Sequence, residues 1–443
     1  MMLRAAPMRI AVAVGVAGLW SGGAMAQVGV FGGPQGPTLT APAISTPDHP
    51  DPFAQPSRDY SAMVAGDWLL YPTIFAGALF DSNPSQSSSG AKSSAGARLV
   101  PSLLAETTNG ISKTTIYGMA DAQLYTNQSG SNSNTVAARA GFIENYQFAP
   151  DLVFNGQGDF TRQRDLFSTF GIDHAVATPQ NPTGIGLAPV NNPLTYNQYS
   201  GSATLQKNFN QAFVSLGGSV IDLEYDHAST AAPSPNGVDT TETVRGGYWI
   251  NPVIYGYVEG SVDQRNYSTS ILNSSGYRVV GGLGSDQIGL VRGEVYAGYQ
   301  AENYNLGAIG TVGSPVYGAR LYYYPLPELT LSGSVDESLG VSFLTTAPGV
   351  PAGAATRVTT SLGQATYALM QNWSASSRFG FIHTDYAGTP RNDDAWTVGA
   401  TLNYSIWRNV ALTLDYQHID MTSNVALQGF TRDVATVGLT YKY

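Results

Sequence analysis

From Asp67 onward the chain repeats with a period of two, and this property limits its possible folds more than any motif does. Trp396, Val398, Ala400, Leu402, Tyr404 and Ile406 alternate with Ala395, Thr397, Gly399, Thr401, Asn403 and Ser405. Val410, Leu412, Leu414 and Tyr416 then alternate with Ala411, Thr413, Asp415 and Gln417. The last segment sets Val437, Leu439, Tyr441 and Tyr443 against Thr436, Gly438, Thr440 and Lys442. Neighbouring side chains of a strand point to opposite faces, so an apolar set alternating with a small polar set describes a strand between two unlike surroundings. After Trp20 no uninterrupted apolar run approaches the ~20 residues a membrane helix needs.

Such segments number about eighteen, over 68–81, 91–105, 113–125, 135–148, 151–164, 195–208, 211–225, 239–251, 253–267, 276–284, 287–301, 314–325, 327–339, 356–370, 372–386, 394–407, 409–420 and 431–443. Their connections are the more telling feature. Short ones at Ala149-Pro150, Phe209-Asn210, Asn251-Pro252, Ser285-Asp286, Pro325-Leu326, Gln371 and Arg408 alternate strictly, from the fourth strand onward, with long ones. The long ones run from Asp165 to Leu194, Asp226 to Val238, Ser268 to Ser275, Asn303 to Gly313, Gly340 to Ala355 and Met421 to Phe430. A soluble sandwich has no reason to keep that order, whereas a membrane barrel has tight turns on the periplasmic side and long loops outside. The sequence therefore predicts an all-β fold, a transmembrane antiparallel up-and-down β-barrel of about 18 strands over residues 63–443, with both ends of the barrel segment in the periplasm. Sixteen to eighteen strands enclose an aqueous channel where eight do not.

Composition agrees without deciding the matter. Only 12% of residues are charged, against roughly 25% in an ordinary soluble domain. The net charge of −10 argues against nucleic acid, which needs clustered cations, and the absence of cysteine removes disulfides and thiolate metal sites. The five histidines, His49, His174, His227, His383 and His418, show no metal-ligand spacing, so neither a metal nor another cofactor is expected. The Gly-rich stretch Val279–Gly284 precedes a strand and not a helix, so it offers no phosphate cradle.

Ahead of the barrel, Arg4 and Arg9 precede a short apolar run from Ile10 to Trp20 and the small residues ending at Ala26. This pattern predicts a signal peptide over 1–26, cut before Gln27. Residues 27–62 are rich in Pro and Gly and predict a flexible periplasmic extension too short to form a receptor's plug domain. At the other end, Tyr441 and Tyr443 are expected to serve as the C-terminal signal for the barrel assembly machinery. Tyr248-Trp249, Tyr322-Tyr323-Tyr324, Trp373, Trp396 and Trp407 fall near strand ends and are expected in interfacial aromatic girdles against outer-membrane lipid.

With the apolar set facing lipid, Arg98, Arg139, Arg245, Arg292, Arg320 and Arg378 are predicted to line the lumen, with Asp121, Asp159, Glu259, Asp263, Glu294, Asp336 and Asp415. Arg or Lys facing hydrocarbon costs roughly 2–4 kcal/mol at the midplane, which is the reason for that assignment. The signs are mixed, so no ion preference follows, and some of these groups are expected to brace the wall in pairs. The proline-containing connection from Asp165 to Leu194 is long enough to fold inward as a lid.

Ala76-Gly77-Ala78-Leu79-Phe80-Asp81-Ser82-Asn83-Pro84, Arg265-Asn266-Tyr267, Ser275-Gly276-Tyr277, Gly281-Gly282-Leu283 and Glu294-Val295-Tyr296-Ala297-Gly298-Tyr299-Gln300 with Tyr304 resemble the putative β-barrel porin 2 family of proteobacteria. The first segment departs from the family pattern, which tends to carry a tyrosine and two acids before the Asn. The resemblance implies an outer-membrane barrel of a Gram-negative bacterium and, more loosely, polysaccharide export. It supplies no catalytic residues. Three functions remain open: a pore for a small polar solute or polysaccharide, a closed structural barrel whose outer loops bind partners, and a hydrolase at the rim using His383 and Asp385.

Overall fold

The computed structural model describes residues 62–126, 134–164, 195–226, 236–268, 270, 273–288, 290–305, 307, 309–341, 355–370 and 372–443. The signal peptide, nearly all of the 27–62 extension, the 165–194 connection, His49, His174 and His227 lie outside them. A short β1 (Met63–Ala65) is followed by β2 (Trp68–Asp81), β3 (Ser94–Thr108), β4 (Ser112–Tyr125), β5 (Thr135–Ala149), β6 (Leu152–Gln163), β7 (Tyr196–Phe209), β8 (Ala212–Tyr225) and β9 (Gly237–Asn251). Then come β10 (Ile254–Tyr267), β11 (Ser274–Ile288), β12 (Val291–Tyr304), β13 (Thr311–Leu326), β14 (Leu329–Val341), β15 (Ala355–Met370), β16 (Trp373–Tyr386), β17 (Asn392–Trp407), β18 (Val410–Ser423) and β19 (Phe430–Lys442).

Each strand from β2 to β19 pairs antiparallel with the next, and β19 returns to β2 from Val434↔Asp81 to Lys442↔Thr73. The result is a closed eighteen-stranded barrel. The strand missing from the sequence reading is β1, which folds back on β2 from Ala65↔Trp68 to Met63↔Leu70. Gly66 makes that turn possible with φ 63°, a conformation other residues adopt at a cost.

One end of the barrel carries only the connections 109–111, 150–151, 210–211, 252–253, 289–290, 327–328, 371–372 and 408–409. The other carries 82–93, 126–134, 164–195, 226–236, 268–273, 305–310, 342–354, 387–391 and 424–429. The alternation of short and long therefore runs from the first barrel strand. One expected turn is wrong. Ser285 still pairs with Gly293 and Ile288 with Val291, so β11 runs past Ser285-Asp286. Gly-Ser-Asp reads locally as a turn, and the ladder to β12 overrides that preference.

The two faces differ as the period of two requires. On β18, Leu414 is 42% exposed and points outward, while its neighbour Thr413 is 2% exposed and points inward. The inward set is not uniformly polar, however. At the long-connection end, Tyr196 of β7 and Ile221 and Leu223 of β8 pack with Val358, Ile382, Ala395, Ile419, Met421 and Phe430 of β15–β19. These strands lie on nearly opposite sides of the ring. Opposing walls thus meet in an apolar contact inside the barrel.

Leu414→Arg is expected to lower stability by about 2–4 kcal/mol, because the charge then faces hydrocarbon. Leu414→Ile is expected to cost under ~1.5 kcal/mol. Urea unfolding of the barrel in lipid vesicles, followed by tryptophan fluorescence, distinguishes the two.

Candidate functional site

The inner wall is built from ion pairs, most of them between strands one to three apart in the ring. Arg98 on β3 sets Nε and Nη2 against the two carboxylate oxygens of Asp121 on β4, at 2.9 and 2.6 Å. Planar fork meets planar carboxylate, the strongest geometry for such a pair. Arg378 on β16 donates to Asp415 on β18 at 2.9 Å, and Thr401 of the strand between donates to the same carboxylate at 2.5 Å.

Most of the remaining pairs recruit a tyrosine. Asp159 accepts from Arg139 Nε and from Tyr117 Oη, both at 2.6 Å, and the guanidinium carbon lies 5.5 Å from the centre of that ring. Glu294 accepts from Arg245 Nη1 at 3.2 Å and from Tyr257 Oη at 2.6 Å, with Arg245 4.0 Å over the Tyr257 ring. Asp336 accepts from Tyr296 and lies 4.0 Å from Arg278, which stands 5.0 Å over the Tyr296 ring. Asp393 accepts from Arg391 Nη2 at 2.6 Å and Tyr386 Oη at 2.8 Å, with Arg391 4.5 Å over Tyr386. Asp81 likewise takes Arg432 Nη2 at 2.8 Å and Tyr125 Oη at 2.9 Å. A carboxylate accepts at about four sites and a guanidinium fork occupies two, so the phenol fills a third while its ring face receives the cation.

Every charged residue assigned to the lumen from the sequence lies on the inward face. Besides those above, Glu259 takes Arg245 Nε at 2.7 Å, and Asp263 lies 3.3 Å from Arg265. Arg320 stands opposite Glu294 in the β12–β13 register, and Arg292 stands opposite Tyr322 near the short-connection end. The sequence reading missed Asp81, Asp239, Arg265, Arg278, Glu302, Glu337, Arg391, Asp393 and Arg432, all buried. Arg278 shares its face with Val280, which is 2% exposed, so the inward set there does not look polar and the alternation loses its phase. Asp81, Arg391 and Arg432 sit at strand ends, where a periodic signal has run out.

Other sequence expectations change. Trp249 is not a girdle residue: it points inward and packs on Tyr255 with ring centroids 4.8 Å apart, while only its neighbour Tyr248 faces out. Tyr322 and Tyr324 likewise lie on the inward face, and Tyr323 faces out, because adjacent strand residues cannot share a face. The Gly-rich stretch belongs to β11, where Gly282 and Gly284 make room for the Tyr257 and Tyr255 rings. A Cβ at 284 would lie 2.1 Å from Tyr255. Tyr441 is exposed near the end of β19, and Tyr443 follows it with its N–H on Pro72 O at 3.3 Å.

His383 faces outward near the long-connection end, with Nδ1 2.6 Å from Asp394 and Nε2 3.2 Å from Asp385. Each carboxylate can accept from the ring nitrogen that faces it, so the imidazole is held between Asp394 and Asp385. Asp385 is also held by Arg357 at 2.6 Å. Asp394, His383, Asp385 and Arg357 are thus tied in a row that braces the rim. In the short turn after β5, the ammonium of Lys207, 2.5 Å from Asp151, holds that carboxyl below its ordinary value through their hydrogen bond.

A family model described as Putative beta-barrel porin 2 matches residues 56–443. Among curated proteins none matches the sequence. Of solved structures, OccAB4 from Acinetobacter baumannii overlaps with TM-score 0.43 and 10% identity, over 87% of this chain and 100% of that one. The copper transporter OprC overlaps with TM-score 0.44 and 9% identity, over 86% and 82%. The siderophore receptor PirA from Pseudomonas aeruginosa overlaps with TM-score 0.39 and 9% identity, over 84% and 80%. Overlaps this loose assign no cargo.

Arg139→Leu leaves Asp159 buried without its cation and is expected to cost about 3–5 kcal/mol. Tyr117→Phe removes one hydrogen bond to a charged group and is expected to cost about 1.5–3 kcal/mol. Equilibrium urea titrations of the two variants in vesicles give both values.

Proposed function

The chain belongs to the Putative beta-barrel porin 2 family, and from that premise we propose that it forms an outer-membrane channel for small polar solutes. The observation that carries this reading is the inner wall, where paired guanidinium and carboxylate groups and hydroxyls face inward behind an apolar outer face. A structural barrel filled for stability alone gains more from apolar packing, since replacing buried ion pairs by apolar residues is often neutral or stabilising. A polar wall suits water and polar cargo. In this reading residues 1–26 direct export, the assembly machinery inserts the barrel, and the short connections face the periplasm. Polysaccharide export is the finer form of the same reading.

The apolar contact between β7–β8 and β15–β19 favours a second reading, a closed barrel that acts through its outer loops. The protein refolded from Gln27 and placed in a planar lipid bilayer separates the two. Discrete, stable conductance steps are expected, and block by candidate sugars then narrows the solute. Silence from barrels shown to be folded by heat-modifiable gel mobility sinks the channel reading in favour of the closed one.

A further inference from the structure

The wall of the barrel is interrupted at one place. The β13–β14 ladder ends at Gly318↔Asp336, leaving Thr311–Tyr317 of β13 and Glu337–Val341 of β14 unpaired across that seam. Both strands continue to pair on their other sides, β13 with β12 out to Asn303↔Thr311 and β14 with β15 out to Val341↔Ala355. The sequence contains a cause. In an antiparallel strand the N–H and C=O of alternate residues point to alternate neighbours. Tyr324 N donates to Leu290 O, and Gly310 O accepts from Tyr304 N. Even-numbered positions of β13 therefore serve β12, and odd-numbered ones serve β14. Pro315 is odd and has no N–H, so it removes a donor on the β14 side.

The freed end of β14 does not stay in the wall. Strands lie about 4.8 Å apart, so β10 and β14 would be about 19 Å apart along it, beyond the reach of one side chain. Yet Arg265 Nη2 of β10 donates to Leu339 O at 3.0 Å, and Tyr304 Oη of β12 donates to Gly340 O at 2.9 Å. Glu337, Ser338 and Leu339 are all buried. Residues 337–341 are thus turned into the barrel as a strap, pinned by two inward side chains.

The charge around the pins is unusual for this interior. Elsewhere arginines are at least as many as the carboxylates they face: Arg98–Asp121, Arg378–Asp415, Arg391–Asp393 and Arg432–Asp81 are single pairs, and Arg245, Arg278 and Arg320 share Glu259, Glu294 and Asp336. Arg265 stands opposite Asp239 in register and lies 3.3 Å from Asp263 and 4.0 Å from Glu302. The last two carboxylates converge over Gly276, where a Cβ would fall 2.0 Å from Glu302 Oε2 and 2.9 Å from Asp263 Oδ1. Glu337, at the root of the strap, accepts from Ser314 at 2.5 Å. One guanidinium faces three carboxylates, with a fourth beside it.

We infer that the strap formed by residues 337–341 is the constriction of the channel, and that the carboxylate excess of Asp239, Asp263 and Glu302 beside it makes the mouth favour cationic over anionic solutes. Rings of Asp and Glu select cations in the same way elsewhere. The inference rests on the channel reading for its selectivity, and on the seam and the pins alone for the strap. It also narrows the finer reading of the cargo to a neutral or cationic polysaccharide.

Two measurements test it, each variant first being shown to be folded by heat-modifiable gel mobility. In a planar bilayer under a KCl gradient, the reversal potential of the native barrel is expected to show cation preference. The pair Asp263→Asn and Glu302→Gln is expected to move it toward zero, and Pro315→Val, which restores the missing donor, to raise the conductance. A conducting barrel with no cation preference, or one whose preference the pair leaves unchanged, overturns the selectivity. The strap is read without conduction. The chain has no cysteine, so Leu339→Cys provides a single thiol for a water-soluble maleimide. Adding Tyr304→Phe removes one pin and is expected to speed labelling about five-fold, the equivalent of one hydrogen bond of ~1 kcal/mol. Unchanged labelling overturns the strap. Silence of the native barrel and of every variant overturns the channel reading and the selectivity with it, while labelling still decides the strap.

Discussion

Closure of the hydrogen-bond ladder is the constraint from which the rest of this structure follows. A strand in hydrocarbon has no water for its N–H and C=O groups, so a sheet in a membrane must have no free edge. Here the last strand meets the first barrel strand through nine consecutive residue pairs, and Arg432 reaches Asp81 across 351 residues of sequence at the outer end of that joint. Once the ring closes, register decides which residues face in. A shift of one residue in β3, β5 or β16 would turn Arg98, Arg139 or Arg378 onto the outer, apolar face.

Inside, the charges are held by a recurring unit of arginine, carboxylate and tyrosine. It appears at Arg139–Asp159–Tyr117, Arg245–Glu294–Tyr257, Arg278–Asp336–Tyr296 and Arg391–Asp393–Tyr386, the first three joining strands one to three apart in the ring and the last a strand, its flanking turn and the strand before. Each partner satisfies a valence the others leave over, so the unit is bonded internally and depends less on water. Asp239, Asp263 and Glu302 break this economy around Arg265, and the wall itself is broken nearby. A local excess of one charge and an unpaired stretch of backbone both carry a cost, and they occur together at the mouth. That coincidence is the ground on which the proposed channel is given its selectivity at the strap.

The apolar contact between opposing walls and the strap both narrow the same end of the barrel. The opposite end, with its two- and three-residue turns, has no comparable inward element among the described residues apart from the aromatic cluster of Phe213, Trp249 and Tyr255. The inward narrowing among the described residues is therefore concentrated beneath the long connections. It is built from strand ends.

The sequence by itself determined the architecture. Period-two patterning fixed the strands and their faces, as with Thr413 inside and Leu414 outside, and short and long connections fixed the topology. These are local properties, written in residues a few positions apart. Arg98 and Asp121 could be assigned to the interior on the same ground, since an unpaired charge in lipid is costly wherever the strand sits. Only the tertiary structure decided which charges meet, because pairing depends on the stagger between strands. The same holds for Trp249, which joined the interior because Tyr248 took the outward position. It holds most of all for β14. Pro315 is plain in the sequence, but the neighbour it deprives of a donor, and the pins that hold the freed strand, exist only once the ring has closed.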